Sequence, residues 1–245
     1  MFLHFGILLL LSHGLLGEVD VSEAIDGDSR IVGVKDATPG MANYQVSMRG
    51  HSGKEEWHTC GGSILNEEYV LTAAHCIHGK RPDELSIVVG SHTLNKGGDR
   101  YKIKKLVPHE NYYRRTLKND IAIVQIEGKF KFSDKVQPIE LLKEMAPIGK
   151  KCLLTGWGLV DYDKKILPNK LQMLEFETIS NDDCTKQLQR SRFSTLVPVD
   201  AGQLCVKRPN DKEMTAKNLA RPLASIEQAL DYKTLEEIPN NIYLN

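Results

Sequence analysis

A chain of 245 residues with 41% hydrophobic and 26% charged content has globular composition, which excludes a collagen-like, wholly disordered or multi-span membrane protein. Its 32 basic and 32 acidic residues cancel, so composition supplies no electrostatic attraction for nucleic acid. Five cysteines is an odd number, so in an oxidising compartment at least one thiol lacks a partner within the chain.

Residues 2–17 form an apolar run without Lys, Arg, Asp or Glu. The run is too short to span a bilayer comfortably and is expected to be a secretory signal, the other reading being a membrane anchor. Cleavage fits either after Gly14 or after Gly17, just before Glu18. Export makes the product extracellular, without membrane contact once residues 1–17 are removed, and places its cysteines where disulfides persist. Residues 18–30 carry Glu18, Asp20, Glu23, Asp26 and Asp28 against Arg30 alone, before the chain turns apolar at Ile31-Val32-Gly33-Val34. This stretch reads as an acidic pro-segment with a processing site at its basic end, or else as a solvated linker.

From Ile31 to Cys205 short apolar runs alternate with turn residues, and no long stretch has helical period. Strands are expected at 61–65, 69–73, 85–90, 102–107, 121–126, 151–155 and 171–178. Asn66-Glu67-Glu68, Asn95-Lys96-Gly97-Gly98-Asp99 and Val160-Asp161-Tyr162-Asp163 are the turns between some of them. Many short strands at close spacing predict an all-β barrel or sandwich.

Cys60 and Cys76 bracket two such runs. A bridge between them would staple a hairpin-like unit and hold His75 beside the staple. An imidazole titrates near neutral pH, so a fixed His75 can serve as a general base, although a histidine by itself is equally a structural or surface residue. Asp120 opens the run Asp-Ile-Ala-Ile-Val-Gln-Ile. A carboxylate at the edge of so apolar a strand needs either water or a donor such as an imidazole N–H; the other reading is a turn aspartate following Asn119.

Taken in order, these motifs resemble those of the chymotrypsin-like (trypsin-like) serine endopeptidases. Arg30-Ile31-Val32-Gly33-Val34 is similar to the zymogen activation junction, though the family more often has a second glycine where Val34 stands. Leu71-Thr72-Ala73-Ala74-His75-Cys76 resembles the catalytic histidine motif, and Asn119-Asp120-Ile121-Ala122-Ile123 resembles the catalytic aspartate motif. Val136-Gln137-Pro138-Ile139 and Thr155-Gly156-Trp157-Gly158 follow in the family's order. The resemblance covers residues 31–205. It implies two six-stranded antiparallel barrels with the active site between them, His75 as general base and Asp120 as its orienting partner. It also implies protein or peptide substrates, an activating protease cutting between Arg30 and Ile31, and no cofactor or metal. Two of the family's bridges match Cys60 with Cys76 and Cys184 with Cys205. Cys152 matches a cysteine whose partner normally lies just past the nucleophile.

The family's nucleophile sits in a Gly-Asp-Ser-Gly-Gly-Pro segment soon after the position of Cys205, and these 245 residues contain no such segment and no glycine beyond Gly202. The backbone oxyanion site, the receiver for an amino terminus at Ile31 and the base of the specificity pocket belong to the same segment. Residues 206–245 form a divergent tail in which Pro222, Leu223, Ile226 and Leu230 predict an amphipathic helix at 222–237. Its single serine, Ser225, has nothing to bring it within reach of His75. Ser29, in Gly27-Asp28-Ser29, precedes the junction and reads as part of the pro-segment. No cysteine follows Cys205, which leaves Cys152 as an unpaired thiol, either for want of that partner or as a simple buried cysteine. The expectation is thus a secreted serine-type endopeptidase by resemblance, with an incomplete second barrel and no nucleophile in this chain. The alternative is a non-catalytic homologue that binds a substrate or a partner protease.

Overall fold

The computed structural model describes residues 35–141, 147–159, 166–189, 199 and 203–207. The apolar run at 2–17, the acidic stretch, the junction at Arg30 and Ile31, and the tail with its expected helix at 222–237 lie outside the described residues.

Ten strands and two helices follow in chain order: β1 (Lys35–Asp36), β2 (Gln45–Ser52), β3 (Glu55–Ile64), β4 (Tyr69–Thr72), α1 (Ala74–Ile77), β5 (Leu85–Val89), β6 (Asp99–Pro108), β7 (Ala122–Ile126), β8 (Lys151–Gly156), β9 (Gln172–Ile179), α2 (Asn181–Gln189) and β10 (Cys205–Lys207). A single turn of 3-10 helix at Pro82–Glu84 leads into β5. The fold is mostly β. Strands β2, β3, β4, β7, β6 and β5 pair antiparallel in that order and close into a six-stranded barrel. Closure leaves this barrel no free edge. Its interior is filled by Val46, Met48, Ile64, Val70, Ile87, Val89, Val124 and Ile126, all fully buried, each of which contributes about 1.5–3 kcal/mol by leaving water.

The second sheet is open among the described residues. Strand β9 pairs with β8 along one edge and with β1 and β10 along the other, in registers that set Lys35 opposite Met173 and Cys205 opposite Ile179. The open sheet agrees with the incomplete second barrel expected from the absent nucleophile segment. Ala37, Ala42, Trp157 and Leu171 form a small apolar cluster, separate from the barrel interior, that joins the second sheet to the segment leading into β2. Among the described residues no helix is long and apolar enough to cross a membrane.

All seven expected strands are present, and β1, β2, β10 and both helices occur where the pattern predicts none. Strands β1 and β10 are two and three residues long, too short for any pattern, and exist because β9 supplies their hydrogen bonds. Strand β2 has no legible pattern because its outward residues Gln45, Ser47 and Arg49 are polar and yet buried. Thr155 Oγ1 donates to Gln45 Oε1 (2.8 Å), Arg49 Nη2 donates to the Leu94 carbonyl (2.8 Å), and the Ser47 hydroxyl and His58 Nδ1 share a 2.7 Å hydrogen bond. Polar groups can be covered at low cost only when each finds a partner, and that pairing is invisible to a hydropathy pattern.

His58 gives the first expected result. Its ring packs edge-on against Trp157, with centroids 5.6 Å apart, and burial, reinforced by the positive charge of Arg49, pushes its pKa down to about 4. The unfolded chain therefore binds a proton at this site below pH 6.5 that the folded chain refuses until about pH 4. Stability is complete above the unfolded value and falls as the pH drops through that window, by an amount on the order of 2–3 kcal/mol at pH 4.5. Urea midpoints of the wild type and of His58→Gln, which retains a partner for Ser47, should diverge between pH 7 and 4.5, with the wild type losing more. Parallel curves would remove His58 as the cause.

Candidate functional site

The site is assembled by three consequences of the first barrel. Strand β3 approaches β4 so closely at Gly62 that a Cβ there would lie 2.8 Å from the Leu71 carbonyl oxygen. The Thr72 hydroxyl donates to the Gly61 carbonyl (2.8 Å). Strand β4 then runs through the buried Ala73 and Ala74 into α1, whose single turn carries His75 and Cys76. A disulfide from Cys76 to Cys60 on β3, with Cα atoms 6.1 Å apart, ties this turn back to the barrel. A loop of this length contributes roughly 3 kcal/mol.

Asp120 is delivered from the other side. Asn119 stands at φ +55°, a left-handed conformation that asparagine tolerates better than most residues. Its Nδ2 donates to the Asn111 carbonyl (2.9 Å), which fixes the turn immediately before β7. The Asp120 carboxylate accepts two hydrogen bonds from His75, one from the backbone N–H to Oδ1 and one from Nδ1–H to Oδ2, each 2.7 Å. A carboxylate can only accept, so this contact puts the ring proton on Nδ1 and leaves Nε2 as the basic nitrogen. The His75 side chain is 38% exposed and that of Asp120 is 20% exposed, so the pair meets solvent on one side. An open cleft of about 620 Å³ adjoins His75 and is lined by His51, Trp57, Lys80 and Glu84 as well as the Cys60–Cys76 bridge. Such an arrangement can take a proton at Nε2 from a nearby hydroxyl or water and hold the resulting imidazolium against Asp120.

Tyr112, which the sequence reading did not single out, packs edge-on against His78 with centroids 5.4 Å apart. Burial, and then the negative charge of Asp120, push its hydroxyl pKa up. A tyrosine next to a second tyrosine in Asn-Tyr-Tyr carries no periodic signal, so only the packing identifies it as a neighbour of the site. Among the described residues one place gathers three metal-binding side-chain types, namely Cys60, His75 and Cys76. Both sulfurs there are committed to the disulfide and so supply no thiolate. Ser29, Arg30, Ile31 and Ser225 lie outside the described residues.

The remaining cysteines fall in the second half. Cys184 on α2 is joined to Cys205 on β10, with Cα atoms 6.2 Å apart, and both pack with Ile179. Cys152 on β8 is free and half-buried, and burial pushes its thiol pKa up. Titration with a disulfide reagent should therefore find one thiol per chain in denaturant. In the native protein that thiol should react several-fold more slowly than a model thiol, because less of it is thiolate. Three thiols, or none, would contradict the pairing.

Comparison with known proteins adds the following. The family model described as "Trypsin" matches residues 31–217. Trypsin theta of Drosophila melanogaster is 34% identical over 185 residues, which cover 72% of this chain and 70% of that protein. Trypsin epsilon of Drosophila erecta is 29% identical over 219 residues, covering 89% of this chain and 82% of its own length. Serine protease 1 of Rattus norvegicus is 32% identical over 178 residues, with coverage of 71% and 68%.

Proposed function

Because the chain belongs to the trypsin family of serine proteases, we propose that it is a secreted family member that keeps the acid–base half of the peptide-cleaving apparatus without its nucleophile. His75 is the base and Asp120 its orienting partner. The supporting observation is the double hydrogen bond between them, 2.7 Å at each contact, in a chain that carries no Gly-Asp-Ser-Gly-Gly-Pro segment. Asp120 selects the tautomer and stabilises the imidazolium, which is what acyl transfer asks of that residue. The attacking hydroxyl and the paired backbone N–H donors for the oxyanion are separate requirements, and residues 206–245 offer neither in recognisable form. This chain therefore engages protein or peptide ligands in the cleft beside His75 without forming an acyl-enzyme. The two disulfides and the run at 2–17 support an extracellular location. A covalent probe for activated serines tests this reading directly, and no labelling is expected.

The free Cys152 favours a second reading, in which another transcript of the same gene supplies the nucleophile segment and a cysteine partner and yields an active endopeptidase. Sequencing transcripts across the codons for residues 200–220 tests it. Finding Gly-Asp-Ser-Gly-Gly-Pro followed by a cysteine supports it, and one uniform transcript matching the present chain rules it out.

A further inference from the structure

A second concavity, of about 410 Å³, lies away from His75, between the segment leading into β2 and the turn that joins β5 to β6. His92, Lys96 and Lys135 contribute basic side chains to its wall, and no Asp or Glu lines it. Among the described residues neither the Lys96 nor the Lys135 ammonium has an ion-pair partner, whereas Lys170 is 2.7 Å from Asp36. Asp36, the carboxylate whose field reaches His92, is thus already engaged by Lys170 and by Gln172 (2.9 Å).

The backbone that presents these cations is fixed. The Ser91 hydroxyl reaches the carbonyls of Thr93 and Lys96, 2.7 Å each, and the Thr93 hydroxyl donates to Lys96 at 3.2 Å. The turn closes through Gly98, at φ +82°, where a Cβ would lie 2.7 Å from the Val89 carbonyl oxygen. On the opposite wall, reciprocal backbone bonds between Ser133 and Val136 (3.0 and 3.1 Å) set the turn that carries Lys135. Asn43 Nδ2 donates to the Asp134 carbonyl (2.7 Å), anchoring that turn to the segment before β2. Two ammonium groups without an ion-pair partner among the described residues, and an imidazole, on rigid turns around one concavity make a receptor for carboxylates.

We infer that this pocket is an anion site and that its occupant is the chain's own acidic stretch at 18–28. Glu18, Asp20, Glu23, Asp26 and Asp28 face a single base, Arg30, in that stretch, so its charge complements the pocket. Asp28 precedes Lys35 by seven residues, a span of at most roughly 25 Å when extended, and the pocket wall begins at Pro39. The tether raises the effective concentration of the carboxylates, so individually weak exposed pairs suffice for docking. The contact does not depend on any catalytic competence at His75, and a cut after Arg30 would release it, exposing Lys96 and Lys135.

The test is amine acetylation of the full chain with residues 18–30 intact, with each lysine read by mass spectrometry and the exposed Lys104 as internal reference. At low salt Lys96 and Lys135 should react about fivefold more slowly than Lys104, as expected for tethered ion pairs that are occupied most of the time. The protection should disappear when NaCl is raised to about 0.5 M, which screens exposed pairs. It should also disappear in the variant Glu18→Gln, Asp20→Asn, Glu23→Gln, Asp26→Asn, Asp28→Asn. Equal rates at all three lysines in the wild type at low salt overturn the proposal. So does protection that survives neutralisation of the five acids, since some other group would then occupy the pocket. The salt series needs no variant and stands if the neutralised chain expresses poorly.

Discussion

The purified 245-residue chain is expected to remain unlabelled by a fluorophosphonate directed at activated serines, and to cleave peptide amides no faster than its His75→Ala variant. A fluorophosphonate needs a hydroxyl, a base that takes its proton as it attacks phosphorus, and a set of donors to receive the phosphoryl oxygen. Of these, the proposed reading leaves the chain only the base, His75 held by Asp120 through the Nδ1–H to Oδ2 contact of 2.7 Å. Removing one triad member from an enzyme of this type costs on the order of 10⁴–10⁶ in turnover, and removing the oxyanion donors with it takes most of the remainder. Measured hydrolysis should thus sit at the level of the uncatalysed reaction, with no dependence on His75. A labelled peptide containing Ser225, or any label that vanishes in His75→Ala, would show that the tail supplies a nucleophile after all and would sink the proposed function. Binding of unlabelled peptide to the cleft beside His75 can be followed in the same preparation, which separates loss of chemistry from loss of folding.

Met48→Ala is expected to cost about 2–5 kcal/mol of stability, the usual penalty for emptying a buried methionine site. Met48 is fully buried on β2, between β3 and β5, where its register partners on these neighbouring strands are Cys60 and Ile87. A closed barrel cannot collapse around the missing atoms without shifting hydrogen-bonded strands on both sides, so the upper part of that range applies. Met41, with 41% of its surface exposed, is the control, and Met41→Ala should stay within about 0.5 kcal/mol of the wild type. Chemical unfolding monitored by tryptophan fluorescence reads both, since Trp157 is buried at the junction between the barrel and the second sheet. A small effect at Met48 would mean that the barrel is not the stability-determining unit. The chemistry would then rest on a looser scaffold than the packing indicates.

Much of this was readable before any coordinates, and the reasons differ from element to element. Strands β4, β5 and β7 are short, apolar and bounded by turn residues, so their pattern and their structure coincide. Strand β3 begins at Glu55, well before the expected start at 61, because its first residues are polar and project from the barrel. Periodicity finds the part of a strand that is buried, not the part that is hydrogen-bonded. His75 and Asp120 were named from local motifs, but motifs 45 positions apart in sequence carry no distance, and only the closure of β4 against β7 brings them to 2.7 Å.

The acidic stretch before Arg30, the odd cysteine count and the missing nucleophile segment are matters of composition and order, so the sequence by itself determined them. The same holds for the family resemblance, which rests on short runs whose spacing is covalent. What only the tertiary structure decided concerns groups made adjacent by folding. It showed that Gln45, Ser47 and Arg49 find hydrogen-bond partners under cover, that His58 is partly buried with its pKa pushed down to about 4, and that Lys96 and Lys135 share a pocket without a counter-ion among the described residues. Each depends on long-range pairing through a closed barrel, where burial and charge compensation are set by residues distant in the chain.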